Sequence, residues 1–98
     1  MINYAEIDGN FIENEKEFYI CLAKQIDMGD YFGKNLDAFY DSLSRNVERP
    51  VHIQWKSHKL SEKKLGKCFL IIKNIMSDVS KEDAEAFPEG KRFTFSLD

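Results

Sequence analysis

The chain is poor in residues that could cross-link it, hold a metal or anchor it. It has two cysteines, two histidines and two prolines in 98 residues, and no apolar run approaches the roughly 18 residues of a membrane-crossing helix. Cys21 and Cys68 stand alone, each in a segment that reads as helix, with no CxxC pair. Secreted domains of this size usually carry several bridges, so both cysteines are expected to be reduced, buried and structural. His52 and His58 fall in different segments, with no second cysteine or carboxylate at ligand spacing, and no metal site is expected. The opening Met-Ile-Asn-Tyr-Ala-Glu-Ile has no basic stretch running into an apolar one. No secretory signal is expected, and the cytoplasm is the expected compartment. Internal repeats, linkers and low-complexity tracts are absent as well.

What remains has the composition of a folded globule. Apolar residues make up 43%, aromatics 13% and charged residues 32%, which gives a core and a solvated surface rather than disorder. A chain of this length is expected to form one domain over residues 1–98, with one two-layer core and room for a surface site more readily than a deep internal one. Its net charge of −3 is unevenly spread. Residues 1–48 hold ten Asp/Glu against four Lys/Arg, and residues 49–98 hold seven against ten. The acidic first half should repel nucleic acid and attract basic proteins.

Asn3 to Ile7 reads as a short strand, followed by an Asp8-Gly9 turn in which both residues tolerate positive φ. Asn14 with Glu17 makes a capping-box pattern, and Phe18, Leu22 and Ile26 form the apolar stripe of a helix that Gly29 should break. Asn35 caps a second helix reaching about Arg45. Pro50 opens a strand in which Val51, Ile53 and Trp55 alternate with His52 and Gln54, so Trp55 is expected in the core. Ser57 should cap a short basic helix running to Lys67. A longer helix is marked by Phe69, Ile72, Ile75, Met76 and Val79. The charged stretch from Ser80 to Gly90, with Pro88, reads as a solvated loop with room for one helical turn, and Phe93, Phe95 and Leu97 as a last strand. Helical segments between strands predict an α/β fold, a small parallel sheet with helices packed on it.

The loop and helix from Asp30 to Leu43 carry the functional signal. Leu36, Phe39 and Leu43 recur at core spacing, and Phe32 is expected to be buried while Tyr31 is exposed at the loop. Packing gives no reason for Asp37 and Asp41 at i and i+4 beside Tyr40. Like charges so placed cost a helix a few tenths of a kcal/mol, partly recovered at Asp37 by the helix dipole. A cationic partner would offset the remainder.

This stretch resembles the barstar family of intracellular ribonuclease inhibitors. The match lies in Tyr31, Gly33, Asn35, Leu36, Asp37, Ala38, Asp41 and Leu43, and continues through Val47, Glu48, Pro50 and Trp55. The resemblance implies a barstar-like fold with a three-stranded parallel sheet. It also implies a one-to-one complex with a basic ribonuclease or nuclease toxin, and no cofactor. Asp41 matches the position that enters the nuclease active site, where carboxylates take the place of phosphate, and Asp37 matches its acidic neighbour. Tyr31 matches a binding-loop aromatic, Gly33 a glycine where partner backbone comes close, and Asn35 the helix cap, with Leu36 just inside. Tyr40 replaces a tryptophan of the best-known member and keeps an amphipathic anchor. Asn46 stands where that member has a second aromatic, and Lys34 replaces an acidic residue. With Ile72, Ile75, Met76 and Val79 aligned as the core face, the family's outlying acidic contact corresponds to Asp78.

Other readings lead elsewhere. An immunity or adaptor module could bind a different basic protein through the same face. Paired carboxylates can hydrolyse glycosides, but they must flank a substrate, whereas Asp37 and Asp41 share one helix turn. Nothing nearby completes an oxygen set for a divalent cation. Lys56, Lys59, Lys63, Lys64 and Lys67 lack interleaved aromatics and read as a solvated face rather than a nucleic-acid site. A binder, not an enzyme, is the expectation.

Overall fold

The computed structural model describes residues 3–29 and 32–98. Three strands, β1 (Asn3–Asp8), β2 (Val51–Lys56) and β3 (Phe93–Leu97), form one sheet in that order, and both pairings are parallel. The register sets Ala5, Ile53 and Phe95 in one row and Ile7, Trp55 and Leu97 in the next. Side chains alternate between faces along a strand, and every fully buried strand residue lies on the face these rows define. Exposed Tyr4, Glu6 and Thr94 leave the other face open to solvent. Parallel sheets are usually covered on both faces. Here a polar layer takes the place of a cover: the His52 ring nitrogens lie 2.8 and 3.2 Å from the hydroxyls of Thr94 and Ser96, and Glu6 pairs with Lys56 at 2.9 Å. The free edge of β1 is occupied by the Gln25 amide, which bonds the Glu6 N–H at 2.8 Å and its carbonyl at 2.9 Å.

The helix α1 (Glu15–Gln25) starts as its sequence predicts, with the Asn14 side chain accepting from the Glu17 N–H at 3.0 Å. The Glu17 carboxylate reaches past the cap to the Glu13 N–H at 2.7 Å. Phe18 and Leu22 are buried, but the helix stops at Gln25, well before Gly29. Ile26 turns to extended backbone, which keeps its side chain in the core while its N–H still bonds the Leu22 carbonyl.

Asp8 and Gly9 do lead into a turn, a single 3₁₀ turn over Gly9–Phe11 whose Asn10 N–H is held by the Asp8 carboxylate at 2.9 Å. Space, not positive φ, is the reason for Gly9. A Cβ there would lie 2.3 Å from the Ser57 carbonyl oxygen and 2.7 Å from the Ser61 hydroxyl. Gly9→Ala should therefore lower stability by about 1–3 kcal/mol through overpacking, read as a fall in the midpoint of thermal unfolding.

Two further helices, α3 (His58–Leu65) and α4 (Lys67–Ala86), meet at Gly66, where the sequence suggests one basic helix as far as Lys67. Ser57 sits at the cap position with φ of 53°, yet its hydroxyl makes no capping bond; it accepts from the Asn10 amide at 3.3 Å instead. The larger departure is at Ser80 to Gly90, expected as a solvated loop with room for one helical turn. Helix α4 continues through Ala86 because Asp83, 5% exposed, extends the inward stripe of Met76 and Val79. A carboxylate on a core stripe is invisible to hydropathy.

The core is aromatic. Phe18 stacks on Trp55 at 4.8 Å between centroids, Phe69 meets the indole edge-on at 5.2 Å, and the indole N–H donates to the Ser61 hydroxyl at 2.9 Å. Both cysteines are free thiols on helices, half-buried rather than buried. Burial first, then the Glu15 carboxylate beside it, pushes the Cys68 thiol up to about 11. The thiolate is the reactive form. In a Cys21→Ser variant, alkylation of Cys68 by iodoacetamide should stay slow at pH 8 and accelerate only as the pH nears that value. Of the lysine cluster, Lys56, Lys59, Lys63 and Lys67 are exposed, and Lys64 pairs with Glu13 at 2.9 Å.

Candidate functional site

Helix α2 (Leu36–Asp41) is capped by the Asn35 side chain, which accepts from the Ala38 N–H at 2.8 Å. Asn35 is thus occupied with the helix start. Phe39 is fully buried and packs edge-on against Phe18 at 5.4 Å; Leu43, in the following turn, is buried too. Burying such side chains is worth roughly 1.5–3 kcal/mol each, and this fixes the inner face of the helix to the sheet layer. Leu36 and Tyr40 are half-buried at its borders, while Asp37 and Asp41 are exposed on the opposite side. Among the described residues neither carboxylate forms an ion pair.

The helix does not run on regularly to Arg45. After Asp41 it widens into a five-residue turn over Ser42–Asn46, in which the Val47 N–H bonds back to the Ser42 carbonyl at 3.1 Å. The Ser44 hydroxyl donates to the Tyr40 carbonyl at 2.7 Å, and such back-bonding bends helices. Single wide turns of this kind are frequent at functional sites.

Gly29 and Gly33 flank the approach to α2. Gly29 has φ of 98°, a conformation that favours glycine, and lies against the Asn46 side chain. Gly33 is half-buried; a Cβ there would meet Asn35 at 3.3 Å and Ala38 at 3.4 Å, so it lets the loop close onto the helix start. Phe32 is half-buried rather than buried, edge-on to Tyr19 at 5.9 Å. Tyr31, expected at the loop surface, lies outside the described residues, as does Asp30.

Helix α4 supplies the far side of the surface. Asp78 is exposed one turn before Glu82, and the Tyr40 hydroxyl lies 3.1 and 3.0 Å from the two Glu82 oxygens. Tyr40 therefore bridges α2 to α4, with Asp78 near enough for its charge to act on the phenol. Glu82 went unread in the sequence, although its i+4 spacing from Asp78 was a signal. Arg49 and Asp83, also unread, hold this arrangement from beneath. The guanidinium donates to the Leu43 and Val47 carbonyls at 2.7 and 2.8 Å and to Asp83 at 2.8 and 3.2 Å; Asp83 also accepts from the Phe93 N–H at 2.7 Å. One buried pair thereby ties the end of the α2 segment to α4 and β3.

Among the described residues, no three His, Cys, Asp or Glu side chains group as a metal site, and no helix is long and apolar enough to cross a membrane. Comparison with known proteins gives the chain a family and a relative. The sequence model of the family described as Barstar (barnase inhibitor) matches residues 2–97. The chain belongs to the barstar family. It is also 30% identical over 81 residues to a protein of Bacillus subtilis (strain 168) named "Putative ribonuclease inhibitor YrdF", covering 83% of this chain and 89% of the relative. Barstar membership accounts for the α/β architecture and for its three parallel strands. It also points to a binder rather than an enzyme.

Proposed function

We propose that this barstar-family protein is an intracellular inhibitor that plugs the basic active site of a ribonuclease or nuclease toxin in a one-to-one complex. Asp37 and Asp41 stand in for phosphate. The observation that carries this reading is the placement of both carboxylates on the outward side of a helix whose inward side, Phe39 and Leu43, is locked in the core. A rigid mount matters because binding then orders few side chains, and ordering costs about 0.5–1.5 kcal/mol for each flexible one. A nuclease cleft lined with Lys, Arg and His is complementary in sign and in hydrogen-bond type: carboxylates only accept, and those cations only donate. Tyr31, Gly33, Asn35 and Leu36 would form the loop side of the contact, Tyr40 its anchor and Asp78 its outlying acid.

The test is titration of the protein into guanyl-specific ribonucleases and basic nuclease toxins while RNA cleavage is followed. Stoichiometric loss of cleavage with at least one nuclease is expected. Full activity of every nuclease would leave the family fold serving a different basic protein.

A further inference from the structure

The phenol of Tyr40 commits its one proton inside the chain, to the carboxylate of Glu82. A carboxylate accepts only, and a phenol carries a single donor, so what Tyr40 still offers to a bound protein is oxygen lone pairs. The hydrogen bond to Glu82 and its charge, followed by desolvation, hold the phenol's ionisation above the ordinary tyrosine value; Arg45 opposes this and Asp78 adds to it. The hydroxyl thus stays protonated with its hydrogen turned toward α4. A tryptophan here would present an N–H, a donor with no acceptor capacity. The Tyr40–Glu82 pair presents the reverse polarity.

We infer that Glu82 is a positioning residue that makes Tyr40 an acceptor-only contact, and that the cognate nuclease lays an arginine or lysine side chain across the Tyr40–Glu82 pair. The inference rests on the reading that the outward face of α2 is the docking surface. It adds a specificity determinant outside the phosphate-mimicking pair: a nuclease with an acceptor or a plain apolar surface at that place is excluded by an unpaired, desolvated polar group. Glu82 is exposed, and Tyr40 is half-buried against the rim of the core, where a phenylalanine would keep the ring in place.

The experiment uses a nuclease that the wild-type protein inhibits. Tyr40→Phe should weaken inhibition about tenfold, the value of one hydrogen bond to a charged group, and Glu82→Gln by a similar factor. The double variant should be little weaker than either single one, because both remove the same contact. A Tyr40→Phe variant as potent as wild type, or losses that simply add, would overturn the inference. A second measurement needs no partner: in ¹³C-tyrosine-labelled protein, Glu82→Gln should bring the Tyr40 Cζ titration down toward the ordinary value of 10.0. A titration that does not move would also overturn it. Inhibition that Asp41→Ala abolishes but Tyr40→Phe leaves untouched removes this inference alone, whereas a wild-type protein that inhibits no nuclease removes the functional reading with it.

Discussion

Asp83→Asn should cost the folded protein about 3–5 kcal/mol, the penalty for stranding one member of a buried ion pair. The side chains of Arg49 and Asp83 are 11% and 6% exposed and meet at 2.8 Å, so both charges are largely withdrawn from solvent. Urea unfolding followed by circular dichroism would read the loss as a lower midpoint. Arg49→Met should be at least as damaging, since it also removes the donors to the Leu43 and Val47 carbonyls. Replacing both partners together should not restore stability. In many proteins a buried pair can be exchanged for apolar residues at little cost, but here the two side chains satisfy backbone groups at the end of the α2 segment and at the start of β3. A double variant Arg49→Met/Asp83→Leu that matches wild type would show that these backbone bonds contribute nothing.

Asp41→Ala should do the opposite, leaving the fold alone and removing the inhibition. Asp41 is exposed, and surface substitutions of this kind usually shift stability by less than about 0.5 kcal/mol. On the proposed reading its carboxylate sits among cations in the nuclease cleft. Losing it should cost about 2 kcal/mol or more, at least a ~30-fold rise in the inhibition constant. Lys63→Ala, exposed on α3 and outside the proposed contact, serves as the control and should leave inhibition unchanged. Equal effects of the two substitutions in the RNA-cleavage assay would remove α2 as the interface.

Much of the fold was legible because the signals were periodic and local. Phe18 and Leu22 on one helix, Val51, Ile53 and Trp55 on one strand, and Asn14 and Asn35 at the helix caps all fall where the pattern puts them. What escaped depends on contacts between distant segments. Asp83 reads as one more charge in a polar run until Arg49, thirty-four positions earlier, is placed beside it. Gly9 reads as a turn residue until α3 is packed against it. The candidate site divides in the same way. Asp37, Tyr40 and Asp41 were readable as an otherwise unfavourable helix, while the Tyr40–Glu82 bridge required the packing of α4 against α2.

The wide turn after Asp41 has one more effect. Asp41 and Arg45 are four residues apart, the spacing at which a regular helix pairs opposite charges. In a turn closed between residues five apart, the side chain overlying a given position is displaced by one residue. Arg45 accordingly acts on Tyr40, and it makes no ion pair with Asp41 among the described residues. A regular helix would have given Asp41 an internal rival for any incoming cation, to be displaced at each encounter. The extra residue in the turn withdraws that rival, so on the proposed reading the carboxylate would meet its partner without competition from its own chain.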